Sequence, residues 1–317
     1  MTDSAASPRA DAAEIVAIDC HYVRPAVAAS HLVIVDGHAA FVDTGTTHSV
    51  PRLLECLRKH GLQREQVDYV LLTHVHLDHA GGAGRLMQEL PRAQCVVHPR
   101  GARHMIDPAK LIAASREVYG DETFERLYGE IPAIPAERVI VAEDGDTVAL
   151  GGRVFELIHT RGHALHHYCI VDRESRIIFS GDSFGISYRE FDTARGPFIF
   201  PTTTPVQFDP VAAHESIDRL MSYDPQAIYL THFSRVEDLA RLARDMHDCL
   251  DAFVAIARRH AGASDRSSRI KRDLFDLLNR RLDTHGYSGD TTRRHEWLDM
   301  DVELNAQGLE VWLDKQG

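Results

Sequence analysis

The chain has 317 residues, and its 47 Asp and Glu outnumber 35 Lys and Arg, leaving a formal charge of −12. With 44% hydrophobic and 26% charged residues it has the balance of a globular protein and not of a disordered one. The acid excess argues against a duplex DNA binder, which needs surplus Lys and Arg against phosphate, and every apolar run is broken by Asp, Arg or His too soon to span a bilayer.

The length allows one large domain and an appended module. Residues 1–14 are small and polar, with Asp3 and Asp11 and no apolar stretch, so they read as a flexible N-terminus and not a secretory signal. Strands follow over Ile15–Ile18, Leu32–Val35 and Phe41–Val42, with Asp36-Gly37 as a hairpin turn. A helix is expected over Ser49–His60, with Ser49 as N-cap and Gly61 just past its end. Tyr69–Leu72 is a short strand, Gly84–Leu90 a brief helix and Cys95–Val97 another strand. Residues 99–135 read as a helical insertion carrying Tyr119, Phe124 and Tyr128. Strands resume at Val139–Val141, Thr147–Leu150, Val154–Ile158, Tyr168–Val171 and Ile177–Phe179. An irregular stretch, Phe184–Pro210, carries Phe191, Phe198, Phe200, Pro197, Pro201 and Pro205. A helix over Val211–Ser222 and a strand over Ala227–Leu230 complete a core domain spanning 15–235. The remainder, 236–317, reads as a mainly helical extension with amphipathic helices over Val236–His260 and Ser268–Leu282.

The five Cys are scattered and odd in number, which suits free thiols in a reducing cytoplasm better than a disulfide framework. The surplus is in His, of which there are 20, several packed into short segments. That points to metal. In Thr73-His74-Val75-His76-Leu77-Asp78-His79-Ala80-Gly81-Gly82, which follows an apolar strand, His74 and His76 are spaced to converge on one ion. Asp78 and His79 can turn to a second ion, and Gly81 and Gly82 allow a tight turn after the donors. His163, Asp182 and His232 each lie at the end of a further apolar run. Five His and two Asp can fill two metal sites if one carboxylate bridges.

The HxHxDH motif formed by His74, His76, Asp78 and His79, followed in order by His163, Asp182 and His232, resembles the metallo-β-lactamase superfamily. The resemblance runs from Ile15 to Ser234 and implies an α+β fold, a four-layer αββα sandwich with the metals at one edge of two sheets. It implies that His74, His76 and His163 hold the first ion, Asp78, His79 and His232 the second, and that Asp182 bridges. Asp43 matches the family's early acidic turn, and Asp43 and His167 are expected to support the donors without binding metal. Two divalent ions follow, zinc first, with iron or manganese as alternatives. A metal-bridging hydroxide would attack an ester-like bond, with Asp78 also handling a proton.

Asp at position 182 counts against antibiotic hydrolysis within that superfamily and is closer to glyoxalase II, lactonases and related thioesterases. Gly162-His163-Ala164-Leu165-His166-His167 departs from the Gly-His-Thr-Pro-Gly-His form, so plain glyoxalase II is disfavoured. Alternatives are a mononuclear iron enzyme resembling the persulfide dioxygenases and a phosphodiesterase of the same fold. The basic residues of the extension, Arg269, Lys271 and Arg272 among them, are candidates for holding an anionic leaving half. A solvated helix face is the ordinary account of such residues. Tyr119, Phe124 and Tyr128 of the insertion and Phe191, Phe198 and Phe200 of the irregular stretch are candidates for a pocket wall or for core. The expected partner is a small-molecule substrate, with no nucleic acid and no membrane, in the cytoplasm, leaving room for a homo-oligomer.

Overall fold

A computed structural model describes residues 13–203 and 206–316. Most of the expected flexible N-terminus, and Pro205, lie outside the described residues. The first sheet contains β1 (Glu14–Asp19), β2 (Ala29–Val35), β3 (His38–Val42), β4 (Val67–Leu72), β5 (Gln94–Val97) and β6 (Val139–Val141), in that spatial order. The second contains β7 (Thr147–Leu150), β8 (Arg153–His159), β9 (Tyr168–Asp172), β10 (Ile177–Gly181), β11 (Ala227–Leu230) and β12 (Ser234–Val236), again as neighbours in sequence order. Antiparallel hairpins open the first sheet, whereas β3 to β6 run parallel. In the second sheet only β10 and β11 are parallel.

Strand alternation builds the layers, because successive side chains leave a strand on opposite faces. Val33, Val35, Ala40, Val42, Leu71 and Val96 meet Phe155, Leu157, Ile170, Phe179 and Tyr229 between the sheets. Their neighbours Leu32, Phe41, Val70, Leu72 and Val97 face outward under α1 (Val50–Lys59), α3 (Ala83–Glu89) and α4 (Pro99–Ile106). Ile158, Cys169, Val171, Ile178 and Ile228 face the opposite helical layer. The fold is therefore the expected four-layer α+β sandwich, and burial on both faces explains the near-continuous apolar runs of β4 and β11.

The insertion is helical, as α4, α5 (Ala109–Tyr119) and α6 (Asp121–Tyr128). α7 (Pro210–Ser222), α8 (Leu239–His260), α9 (Arg266–His285) and α10 (Thr291–Asp314) cover the second sheet and each other. Three local readings need correction. Ser49 is itself helical and does not cap α1; its hydroxyl donates to the Cys20 carbonyl and accepts from the Thr46 amide, closing a tight turn before the helix. The helix expected from Val236 begins at Leu239, since Ser234–Val236 pairs with β11 as the edge strand. Finally, α10, 24 residues long, is a third helix in the extension. Its buried face includes Asp301, Asn305 and Gly308, which interrupt the apolar period that would announce it. Among the described residues no helix is long and apolar enough to cross a membrane.

Candidate metal centre

The sequence-predicted donors leave the ends of five elements and meet at one edge of the sandwich. β4 delivers Thr73, His74 and His76; the one-turn helix α2 (Leu77–Ala80), which starts from the extended His76, carries Asp78 and His79. His163 comes from the loop after β8, Asp182 follows β10 directly, and His232 lies just beyond β11. His76 Nδ1 is 2.9 Å from His74 Nε2 and 3.0 Å from His163 Nε2. On the other side, His79 Nε2 and His232 Nε2 lie 3.6 and 3.4 Å from Asp78 Oδ2. Asp182 sits between the two trios. Its Oδ2 is 3.5 Å from His163, and its Oδ1 is 3.3 and 3.6 Å from His79 and His232.

The outward nitrogens are held by the protein, which fixes each ring. His79 Nδ1 donates to Asp43 Oδ2 (3.0 Å), His232 Nδ1 to the Val27 carbonyl (2.7 Å), and His163 Nδ1 to the Thr202 carbonyl (3.3 Å). Asp43, in a left-handed conformation with φ 55°, also accepts from the Thr73 amide and from the hydroxyls of Thr73 and Thr231. It thereby ties β4 to the end of β11. His167 Nε2 accepts the backbone N–H of Asp182 (3.1 Å), and its Nδ1 faces Thr160 and Ser183. Asp43 thus touches the His79 ring, and His167 touches the Asp182 backbone. Gly181 (φ 50°) makes room: a Cβ there would lie 2.6 Å from His167 Nε2 and 2.7 Å from Thr73 Oγ1. Gly81 and Gly82 work differently from expectation. Both have ordinary negative φ, and what they permit is close approach, since a Cβ on Gly82 would sit 2.7 Å from the Thr46 carbonyl oxygen.

Electrostatics separate the two sides. Burial, reinforced by neighbouring imidazoles, holds His74 and His76 well below the usual imidazole range, so both keep a free lone pair. Burial opposes ionisation of Asp182, yet His79, His232 and His163 outweigh it and hold the carboxyl well below its usual range. Asp78 is held down against burial by His79 and His232. Burial also works against charge on His232, but Asp182 and Asp78 push it up to about 9. The second trio thus demands positive charge, from protons or from a metal ion.

Fit to a metal can be tested on two atoms. His79 Nε2 and Asp182 Oδ1 are buried and without a hydrogen-bond partner although they face each other. Orphaned buried atoms of this kind are costly unless something satisfies them. Three overlapping donor groups, His74/His76/His163, His74/His79/Asp182 and Asp78/His79/His232, each gather within 4.8 Å. Imidazole and carboxylate donors of this number suit a borderline divalent cation.

The donors floor a cavity of about 350 Å³. Leu111, Ala114, Tyr119 and Tyr128 of the insertion form one wall; Met300, Asp301 and Leu304 of α10 form another; Tyr188 and Val206 come from the irregular stretch. Of the candidate aromatics, only Tyr119 and Tyr128 reach the cavity, while Phe124, Phe191, Phe198 and Phe200 are core. Among the described residues, none of the extension's Arg or Lys lines it. Arg269, Lys271 and Arg272 instead pair with Asp265, Glu303 and Asp273. The wall residues of α10, and Tyr188, went unnoticed in the sequence because no local motif marks them.

A family model described as the metallo-beta-lactamase superfamily matches residues 23–232. A metallo-beta-lactamase fold-containing protein of Sulfurisphaera tokodaii is 29% identical over 53% of this chain and 61% of its own. An acyl-coenzyme A thioesterase of Gallus gallus is 30% identical over 35% of this chain and 39% of its own. A hydroxyacylglutathione hydrolase of Aeromonas hydrophila is 26% identical over 62% and 58%. The match thus spans less than two thirds of these relatives' lengths. Among solved structures, a superfamily protein from Sulfolobus tokodaii superposes with TM-score 0.66 at 22% identity, covering 94% of this chain and 98% of that one, a likeness of fold.

Proposed function

The chain belongs to the metallo-β-lactamase superfamily, and on that premise we propose that it is a dinuclear metal-dependent hydrolase of an ester-like bond, a thioester or a lactone. The observation that carries this reading is the pair of donor trios that share Asp182 at the floor of a largely apolar cavity. His74, His76 and His163 would hold one ion, Asp78, His79 and His232 the other, and Asp182 both. Two such ions, when bound, supply a water that ionises near neutral pH and a Lewis acid for the acyl oxygen.

The chain's own residues do the rest. Asp43 and the Val27 and Thr202 carbonyls fix the ring orientations, so little reorganisation is left for the reaction. Asp78 is the more open of the two donor carboxylates, 22% exposed against 5% for Asp182, and can take up or pass on a proton from the cavity side. The apolar walls orient an acyl chain and exclude bulk water. Relatives named as a thioesterase and a hydroxyacylglutathione hydrolase support the ester-like bond.

The test is a series of acyl thioesters and lactones of increasing chain length, offered to protein reconstituted with zinc, manganese or iron, with metal content measured alongside. Turnover that requires two ions per chain and rises with chain length is expected. Oxygen uptake without hydrolysis would overturn the reading and favour the iron dioxygenase, and full hydrolysis with one ion would overturn its dinuclear part.

A further inference from the structure

The cavity wall has an unusual charge composition. Among the described residues that line it, none is Lys or Arg. His104 and His166 lie in the wall, but burial depresses both, His166 to about 3, so both are neutral at physiological pH. The hydroxyls of Tyr22 and Tyr128 share one hydrogen bond at 3.0 Å. That leaves Asp301, on α10, as the charged group of the wall outside the metal donors. It is 5% exposed, and its two oxygens accept from one donor, the Tyr188 hydroxyl, at 3.3 and 3.0 Å. Arg24, whose charge is felt at Asp301, stays out of the wall, with its guanidinium over the Trp297 ring at 4.2 Å and bonded to the Trp297 carbonyl.

A carboxylate has about four acceptor positions, and one hydroxyl cannot fill them. Burial, helped by Asp182, pushes Asp301 up to about 6 against His232, the Tyr188 hydrogen bond and Arg24, still below neutral pH. A buried carboxylate with spare acceptors, in a wall that carries no Lys or Arg among the described residues, welcomes an N–H donor and repels an anion.

We infer that Asp301 sets the charge selectivity of this cavity: the substrate half that enters it is an apolar chain ending in an amine, and chains ending in a carboxylate or phosphate are excluded. The inference deepens the hydrolase reading and rests on it for the reaction, though not for the binding.

The experiment uses three esters with one apolar chain ending in methyl, ammonium or carboxylate, and their non-hydrolysable ether analogues. In the metal-loaded protein the ammonium compound should have a kcat/KM at least about 100-fold above the carboxylate compound, and the ethers should bind in the same order. Asp301→Asn, which keeps a partner for Tyr188, should compress that ratio to less than about tenfold, mostly through KM. Asp301→Ser serves the same purpose if the amide variant fails to fold, with metal content as the check on folding. A wild-type protein that prefers the carboxylate, or shows no preference, overturns the inference, as does a variant that keeps the full ratio. If no ester is hydrolysed, the hydrolase reading fails while the ether binding still decides the selectivity.

Discussion

The floor of the cavity and its walls are built by opposite means. Every donor on the floor sits within a few residues of a strand end, on a frame locked by Asp43, which joins β4, α2 and the end of β11 through Thr73, His79 and Thr231. The walls are assembled from chain segments far apart, α5 and α6 of the insertion and α10 near the other end. They are held by side-chain packing and a few isolated polar contacts such as Thr203 with Asn305. On the proposed reading, chemistry lies on strand ends, and recognition lies on appended elements. Such a division lets the substrate change while the reaction is kept.

Substitutions sharpen this contrast. The largest effect is expected for Asp182→Ala, which removes a donor from both sides; metal content should fall below two ions, and kcat/KM should drop by about a thousandfold or more. Full occupancy in that variant would show that Asp182 does not bridge. Asp43→Asn, which leaves the donors intact but loosens His79 and Thr231, should weaken metal affinity about 10–100-fold, read by chelator competition.

Behind the floor, His31 is buried against Phe179 and Tyr229, and burial lowers it to about 4. The unfolded chain then takes up a proton that the folded chain refuses, so stability falls as pH drops from about 6.5 towards about 4. His31→Phe should remove this loss. Relative to wild type, its unfolding free energy at pH 5 should improve by about 2 kcal/mol over the difference at pH 7, and an unchanged difference would reject it. On the walls, Leu111→Ala and Met300→Ala should raise KM for long acyl chains by about 3–10-fold, with metal content retained. The smallest effect belongs to the joint neutralisation of Arg269, Lys271 and Arg272. Exposed ion pairs contribute little, so KM on a coenzyme A or glutathione thioester should move less than about twofold. A salt-sensitive rise in KM would restore these residues to recognition.

The same division explains what the sequence disclosed. His74, His76, Asp78 and His79 are neighbours in the chain, and His163, Asp182 and His232 each follow an apolar run, so both the motif and the strands around it were legible. The sandwich was expected from the family resemblance, while the residues themselves disclosed the individual strands. The walls were not legible, because Tyr188, Asp301 and Leu304 acquire their role only when α10 packs across the irregular stretch. Tyr119 and Phe124 are both aromatics of the insertion, and only tertiary packing sends one to the cavity and the other to the core. The edge strand β12 is three residues long and includes Ser234 and Arg235, too little for a pattern to form.

The position of α10 also orders events in time. A ribosome delivers the last donor, His232, well before it delivers Asp301 and Leu304. The seven donors are therefore complete while that side of the basin still lies open to ions from the surroundings. Once α10 docks, Met300, Asp301 and Leu304 wall that side of the cavity. Metal held by these residues would thus load during synthesis under different conditions from its exchange in the finished protein.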